Sequence, residues 1–519
     1  MRWRLNTEQG RRQLTSVPAE VTTIAKGASI FLVGTVLSVV LRYAFEVLIA
    51  RRLGPSLFGV FFLGLAVFRV LERVATLELG SGLLRFVSLY RGERKFDKVK
   101  GTILAGLKIS LLGGAATAFL LFIFSSLISR GVFHEIQLAP VLRFFSLGLI
   151  LTAATEIFVY SHQALGAIQY RVLTRMVFEP GLSIILALLF FKLGMGLKGA
   201  SLSFLLPLAG GVLVSFLFLR HLFPQLVQGE WTSVVHPHAL LRFSIPLLFA
   251  GMLSLFLRQI TPLILGYFRP TWEVGLYAGA LRTSLLLVVI LDSFNALFAP
   301  MIADLTNRKE MNKLSVLFNI VTKWTFALSL PLFLTFVFFG RELLGLWGKG
   351  YEGALTCLLV LSAGQLINCS TGPVGYLISM SGRTMVSLAN SSGVLALNLV
   401  LNFILIPRHG LLGAAIAVSC GLMVVNAVRL IQVRVILKIQ PYSLDFLKPI
   451  AAAALSSFLL IMAGKWVLPD GGPLLQPGLG MIGLVIFYAS FLALMGIRPE
   501  EKLILQRIKQ KLLGHKEKN

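Results

Sequence analysis

The chain has 519 residues, of which 56% are hydrophobic and only 13% are charged, and its mean hydropathy is +0.84. This composition excludes a water-soluble globular protein and leaves room for a dozen or more membrane crossings of about 20 residues each. A net charge of +26 would favour nucleic-acid binding in a soluble protein. Here the basic residues lie mostly in short connections between apolar segments, so no nucleic-acid partner is predicted.

The apolar segments follow one another along almost the whole chain. Residues 1–26 are polar and basic and are predicted to form a cytoplasmic segment, and the apolar block after them is too long for a signal peptide. Helices are expected because spanning strands would alternate in character and run about ten residues. We predict fourteen spans, at residues 27–50, 57–79, 101–128, 139–161, 172–193, 199–221, 239–265, 273–300, 314–339, 353–379, 384–406, 410–432, 446–468 and 475–496.

The loop charges predict the orientation. An even number of spans places both termini on one side, and Lys and Arg are about three times as frequent in connections on that side. We therefore predict a multi-pass protein of the inner (plasma) membrane with both termini cytoplasmic. The basic tail, 497–519, has an amphipathic pattern that favours the anionic inner leaflet, although a solvated tail fits nearly as well.

Two pairs of similar segments indicate an internal repeat. Leu53–Phe61 resembles Phe268–Tyr277, with Gly59 matching Gly275 at an offset of 216 in the numbering, and Gly196–Ser201 resembles Gly410–Ala415 at an offset of 214. We predict an all-α polytopic membrane protein with two six-helix bundles related by a pseudo-twofold axis along the membrane normal. The bundles cover 27–223 and 239–432, and two appended helices follow at 446–496.

Charged residues within the spans predict a binding site. Arg42 and Arg258 precede the repeated glycine by the same number of positions, at about 12 Å from the outer end of the helix. We expect them to face each other across a cleft and bind an anionic group, unless both extend to the outer headgroups. The predicted substrate-binding set is completed by Arg69 and Arg282.

Other charged and polar residues are open to two interpretations. Arg175 with Glu179 and Arg69 with Glu72 have helical spacing and could simply neutralise each other within one helix. Asn390, Asn398 and Asn402 in the eleventh span suit contacts between helices better than a cleft lining.

The source of energy is also predicted from the sequence. The chain has no G-x-x-x-x-G-K-[ST] loop and no metal-binding His or Cys spacing, so neither a nucleotide site nor a metal or other cofactor is expected. An ion or the membrane potential then drives transport, with Asp292 and, second, Glu46 as ion-coupling candidates. A polar contact between helices is the alternative role for Asp292. The absence of a catalytic acidic pair or a large external loop argues against an enzyme.

Four motifs in chain order carry a family resemblance. They are Ala50–Pro55 with Phe58–Gly59, Glu78–Arg85 where Asp is commoner than Glu78, Val274–Tyr277, and Leu405–Ala415. Over spans one to twelve the chain resembles bacterial polysaccharide-export flippases of the O-antigen and teichoic-acid type, in the multidrug, oligosaccharidyl-lipid and polysaccharide exporter superfamily.

The resemblance implies a function in building the cell envelope. A member would flip an undecaprenyl-pyrophosphate-linked oligosaccharide, such as a lipopolysaccharide O-antigen precursor, from the inner to the outer leaflet. Its partners would be the lipid-linked oligosaccharide, membrane lipids and polysaccharide polymerase machinery. A lipid II flippase or a multidrug or cation antiporter of the same superfamily remains the alternative.

Overall fold

A computed structural model describes residues 7–226, 237–466 and 475–496. Within these ranges the regular secondary structure is helical and no β-strand occurs. The chain divides into two compact units, Met1–Gly275 and Leu276–Asn519. The predicted tail, 497–519, lies outside the described residues. The polar N-terminal segment is not separated from the first span, since helix α1 already begins at Thr7 and continues into it.

The described part of the first unit contains eight α-helices and the start of a ninth. Their bounds are α1 (Thr7–Thr76), α2 (Leu79–Gly92), α3 (Phe96–Leu127), α4 (Leu138–Ala164), α5 (Ile168–Val172), α6 (Glu179–Lys192), α7 (Gly196–Leu222), α8 (Pro237–Phe268) and α9 (Thr271–Ser284). Two π-helical turns, Ile128–Val132 and Leu173–Phe178, follow α3 and α5.

The second unit begins within α9 and contains the remaining helices. These are α10 (Leu286–Asn307), α11 (Met311–Gly345), α12 (Leu355–Thr371), α13 (Val374–Met380), α14 (Thr384–Ile436), α15 (Leu447–Trp466) and α16 (Leu475–Leu494). Both appended spans, α15 and α16, pack on α11, where the Tyr488 hydroxyl donates to the Ala327 carbonyl at 2.8 Å.

The helices confirm the fourteen predicted spans. Within the described residues, eleven apolar helical stretches are long enough to cross a membrane, and a shorter one covers Gly478–Leu494. Two of the eleven each contain a pair of spans, because Gly54 (φ 73°) interrupts α1 and Gly410 (φ 55°) interrupts α14. At positive φ a glycine turns the chain without the steric cost that other residues incur. The protein is therefore an all-α polytopic membrane protein.

The second span ends close to the predicted residue 79, and a further helix follows it. Helix α1 ends at Thr76, Leu77 and Glu78 have positive φ, and the chain continues as α2. An ion pair between Arg73 and Glu78 bridges the break, and the Ser81 hydroxyl donates to Glu78 at 3.3 Å. Helix α2 forms beyond the break and buries its apolar face in the core of the first unit.

The repeated segments have matching local geometry. Gly196 (φ 51°) and Gly410 (φ 55°) both have a positive φ at the starts of the sixth and twelfth spans. Three residues later, a Cβ added at Gly199 would lie 2.9 Å from the Phe190 Cβ, and one added at Gly413 would lie 2.3 Å from the Leu405 carbonyl oxygen. In both repeats the chain therefore returns tightly against the preceding helix. The bundle boundaries stay a prediction.

We expect Gly413→Ala to lower the stability of the protein. The added methyl group meets backbone, which cannot rotate away, so the cost should be about 1–3 kcal/mol. The matched control is Gly393→Ala in the same helix, where no atom lies within 4 Å of the new methyl group. The control should be neutral or stabilising by up to about 1 kcal/mol. Thermal unfolding in one detergent measures both, and equal melting temperatures would contradict the predicted tight return.

Candidate functional site

A charged cavity of about 110 Å³ lies inside the first unit, between α1, α4, α6 and α7. Aromatic side chains form much of its apolar wall, including Phe45, Phe68 and Phe204. Its charged lining residues are Arg42, Glu46, Arg69, Glu72, Arg175 and Glu179. The volume suits a few water molecules or a small polar group, and excludes a whole oligosaccharide.

The kink in α1 brings two pairs of charged residues to the cavity. Arg42 and Glu46 precede Gly54, and Arg69 and Glu72 follow it on the returning half of the helix. Arg42 and Arg69 lie at similar depths, about 18 and 22 Å from Gly54 along the two halves at 1.5 Å per residue. One helix therefore supplies four of the six charged lining residues.

Arg175 lies at the centre of the charged cluster. Its side chain is 18% exposed, and it forms ion pairs with Glu179 at 3.2 Å and with Glu156 of α4 at 3.4 Å. Its backbone carbonyl accepts a hydrogen bond from Arg42 Nη2 at 3.2 Å. Arg175 belongs to the π-helical turn Leu173–Phe178, and such turns occur frequently at functional sites because they disturb the regular backbone hydrogen bonds.

Glu179 is the most enclosed carboxylate of the cluster. Its side chain is 7% exposed, and its Oε1 atom has no hydrogen-bond partner among the described residues. Gly211 of α7 provides the space for it, since a Cβ there would lie 2.5 Å from Oε1. A buried carboxylate of this kind requires a positive partner, and Arg175 supplies it.

Arg42 differs from Arg175 in being accessible. It donates from Nε to the Ser38 hydroxyl at 3.1 Å, yet its side chain is exposed. Arg42, Arg69 and Arg175 are accompanied by Glu46, Glu72, Glu156 and Glu179. The cavity therefore has mixed charge, whereas the sequence suggested a mainly cationic cleft.

The predicted site residues are only partly brought together. Arg42, Arg69 and Glu46 line the cavity, but Arg258, which is exposed on α8, is not among its lining residues. The joint binding of one ligand by Arg42 and Arg258 stays a prediction.

Two predicted site residues belong to the second unit. Arg282 is half-buried on α9, and Asp292 is exposed on α10, within electrostatic range of Tyr376 and Cys369.

Sequence reasoning missed Glu156. It is the only acidic residue of the predicted fourth span, and a lone acid in an apolar helix is itself a signal of a functional or paired position. The pairing with Arg175 could not be found by helical spacing, because the two residues lie in different helices and far more than one helical turn apart in the sequence.

We expect Arg175→Gln to be strongly destabilising, because it leaves Glu156 and Glu179 without their shared counter-charge. Breaking a buried pair costs about 3–5 kcal/mol. In the double variant Arg175→Gln with Glu179→Gln, much of the lost stability should return. Thermal unfolding in detergent measures the set, with Arg308→Gln, which breaks an exposed pair with Asp304, as control. A single variant as stable as the double one would contradict the compensating role of Arg175.

Comparison with known proteins identifies the family. Residues 24–306 match a family model described as polysaccharide biosynthesis protein. The probable flippase AglR of Haloferax volcanii is 29% identical over 160 residues, or 30% of this chain and 33% of that protein, so the match spans about a third of AglR. Uncharacterized membrane protein MJ1068 of Methanocaldococcus jannaschii is 24% identical over 422 residues, or 76% of this chain and 81% of that protein.

Solved structures share the fold. The lipid II flippase MurJ in an inward closed conformation has a TM-score of 0.70 at 16% identity, covering 89% of this chain and 98% of that chain. A multidrug resistance transporter of the MATE family and MOP superfamily, in an inward-facing conformation, has a TM-score of 0.63 at 18% identity, covering 76% and 94%. The family expected from the four motifs is confirmed. Because the family model matches more than half of its length, the chain belongs to the polysaccharide biosynthesis protein family.

Proposed function

We propose that this protein flips a lipid-linked oligosaccharide from the inner to the outer leaflet by alternating access, with undecaprenyl pyrophosphate as the lipid carrier. The observation that carries the proposal is the accessible Arg42 beside a charged cavity, inside the helix bundle of a member of this family. A charged side chain within a membrane costs free energy, so such a residue is a candidate for a functional role. AglR and Agl15 of Haloferax volcanii, both named as probable flippases, support the same activity.

We assign the arginines to binding the pyrophosphate of the substrate. The small volume of the cavity also favours the pyrophosphate over the sugars as the group bound there. A guanidinium binds phosphate oxygens through two parallel hydrogen bonds and stays charged at any physiological pH. Arg42 and Arg258 are the first candidates because both are exposed. Arg69 and Arg282 are the secondary ones. Arg175 is excluded from this role because two glutamates already engage it.

We expect Arg42→Gln and Arg258→Gln each to weaken substrate binding and flipping by about tenfold or more, since a charge-assisted hydrogen bond contributes about 1.5–3 kcal/mol. Lysine at either position should restore only part of the activity, because it keeps the charge and loses the planar fork. The measurement is translocation of a fluorescent pyrophosphate-linked glycan in proteoliposomes.

The matched control for this experiment is Arg130→Gln, which removes an exposed arginine in the π-helical turn Ile128–Val132. It should flip at the wild-type rate. Wild-type translocation by the double variant Arg42→Gln with Arg258→Gln, reconstituted in equal amount, would reject the assignment and favour arginines that extend to the headgroups.

Transport against a gradient needs energy, and we assign the coupling to an ion that acts on a carboxylate within the spans. Asp292 is accessible on α10, and Glu46 is buried in the charged cavity. Asp292→Asn, and to a lesser degree Glu46→Gln, should abolish the dependence of flipping on an imposed proton or sodium gradient while the protein still folds. The readout is the ratio of rates with and without the gradient. An unchanged ratio in both variants would remove these residues, and Asp304→Asn at the surface is the control.

A multidrug or cation antiporter is a second candidate function. The glutamates of the cavity favour it, because cationic substrates bind carboxylates. Efflux of a cationic dye from the same proteoliposomes separates the two activities. Lipid II is the alternative cargo to be tested in the same flipping assay. The likeness to the lipid II flippase MurJ concerns the fold and does not by itself assign the cargo.

The proposed orientation of the protein in the membrane is based on the loop charges. We place both termini on the cytoplasmic side of the inner membrane, so that the turn at Gly54 faces outward. Polysaccharide polymerase machinery is then the expected partner on the external face, where the flipped glycan is consumed.

A further inference from the structure

Two glycines related by the internal repeat pack against each other within the first unit. Gly59 lies four residues after Pro55, in the first turns of the second half of α1, and Gly275 lies four residues after Thr271, where α9 begins. The offset of 216 that relates Gly59 to Gly275 also relates Pro55 to Thr271, so equivalent positions of the two repeats meet.

The contact is reciprocal and is made by backbone atoms. A Cβ added at Gly59 would lie 1.8 Å from the Thr271 carbonyl oxygen, and one at Gly275 would lie 2.0 Å from the Pro55 carbonyl oxygen. The Cα atom of each glycine therefore packs directly on the carbonyl group of the residue at which the other helix begins. No residue with a side chain fits either position without moving the helices apart.

A third segment contacts the start of α9. Glu135, in the connection between α3 and α4, accepts a hydrogen bond from the Thr271 hydroxyl at 3.1 Å through Oε2, and its Oε1 accepts from the Gln137 amide at 3.2 Å. Two helix N-termini side by side bring partial positive charges together, and a carboxylate there is favourable. The alternation of spans puts Gly54, Glu135 and Thr271 on the same side of the membrane, which the positive-inside rule makes external.

We propose that Pro55, Gly59, Glu135, Thr271 and Gly275 form the external gate of the transport path, called here the glycine gate. This inference rests on the proposed flippase activity. Contacts of the Cα–H···O type are individually weak, so the backbone contact at the two glycines costs little free energy to break when the helices separate. The gate is closed in this structure and opens to release the substrate outward.

The size of residues 59 and 275 then sets the balance between closed and open states. An added methyl group penalises only the closed state, because the open state has no contact at these positions. Gly59→Ala and Gly275→Ala should each shift the ratio of closed to open molecules by at least about tenfold towards open. Flipping should fall with it, since the cycle requires both states.

Spin labels next to the contact measure the gate directly. Ser56 and Trp272 are exposed and each lies one residue after a carbonyl of the gate. In a background with Cys357, Cys369 and Cys420 replaced by Ala, labels at Ser56→Cys and Trp272→Cys should give one short distance by electron paramagnetic resonance in proteoliposomes. A longer distance should appear with Gly59→Ala or Gly275→Ala. The control is Gly181→Ala, where no atom lies within 4 Å of the new methyl group.

A variant without steric change protects the test against misfolding. Thr271→Val keeps the shape of the side chain and loses the hydrogen bond to Glu135, so it should also populate the longer distance, to a smaller extent. An unchanged short distance in all three variants would overturn the glycine gate, whatever happens to flipping. A lengthened distance in a protein that flips no lipid-linked glycan in any form would keep the gate and reject the proposed substrate.

Discussion

Compensation of charge inside a membrane-spanning bundle is the constraint on which the first unit depends. Arg175 touches Glu156 and Glu179 and, through its backbone carbonyl, Arg42. These contacts tie α1, α4 and α6 together at one depth. Removing one partner of a buried pair leaves a charge that costs about 3–5 kcal/mol, so the cluster fixes helix rotation as well as helix contact. Gly211 completes the arrangement by leaving space for the carboxylate of Glu179.

The arginines of the cavity differ in how far their charge is already compensated. Arg175 forms ion pairs with Glu156 and Glu179, whereas Arg42 is exposed. Under the proposed function, Arg42 is the guanidinium available to an anionic headgroup. A cavity of about 110 Å³ is too small for a chain of sugars. Under the proposed function, this cavity would bind only the charged part of a substrate, and its carboxylates make a cationic ligand the alternative.

Helix α1 connects the cavity to the glycine gate. Its second half begins at Pro55, contacts α9 through Gly59 and reaches the cavity at Arg69, about 15 Å further along. A helix transmits a displacement of its end along its length. Separation of the gate would therefore shift Arg69 and Glu72 relative to Arg175, which gives the charged cluster a physical route for responding to opening.

The sequence by itself determined the fourteen spans, the repeat and the family, because insertion into a membrane depends on the hydropathy of each segment of about 20 residues and repeated motifs keep their spacing. The conformations of Gly196 and Gly410 agree with that repeat. Only the tertiary structure decided that Glu156 pairs with Arg175, that Arg258 lies outside the cavity and that α2 follows the break at Leu77 and Glu78. These features depend on how helices rotate and pack against one another, and hydropathy along the chain contains no information on the rotation of one helix relative to another.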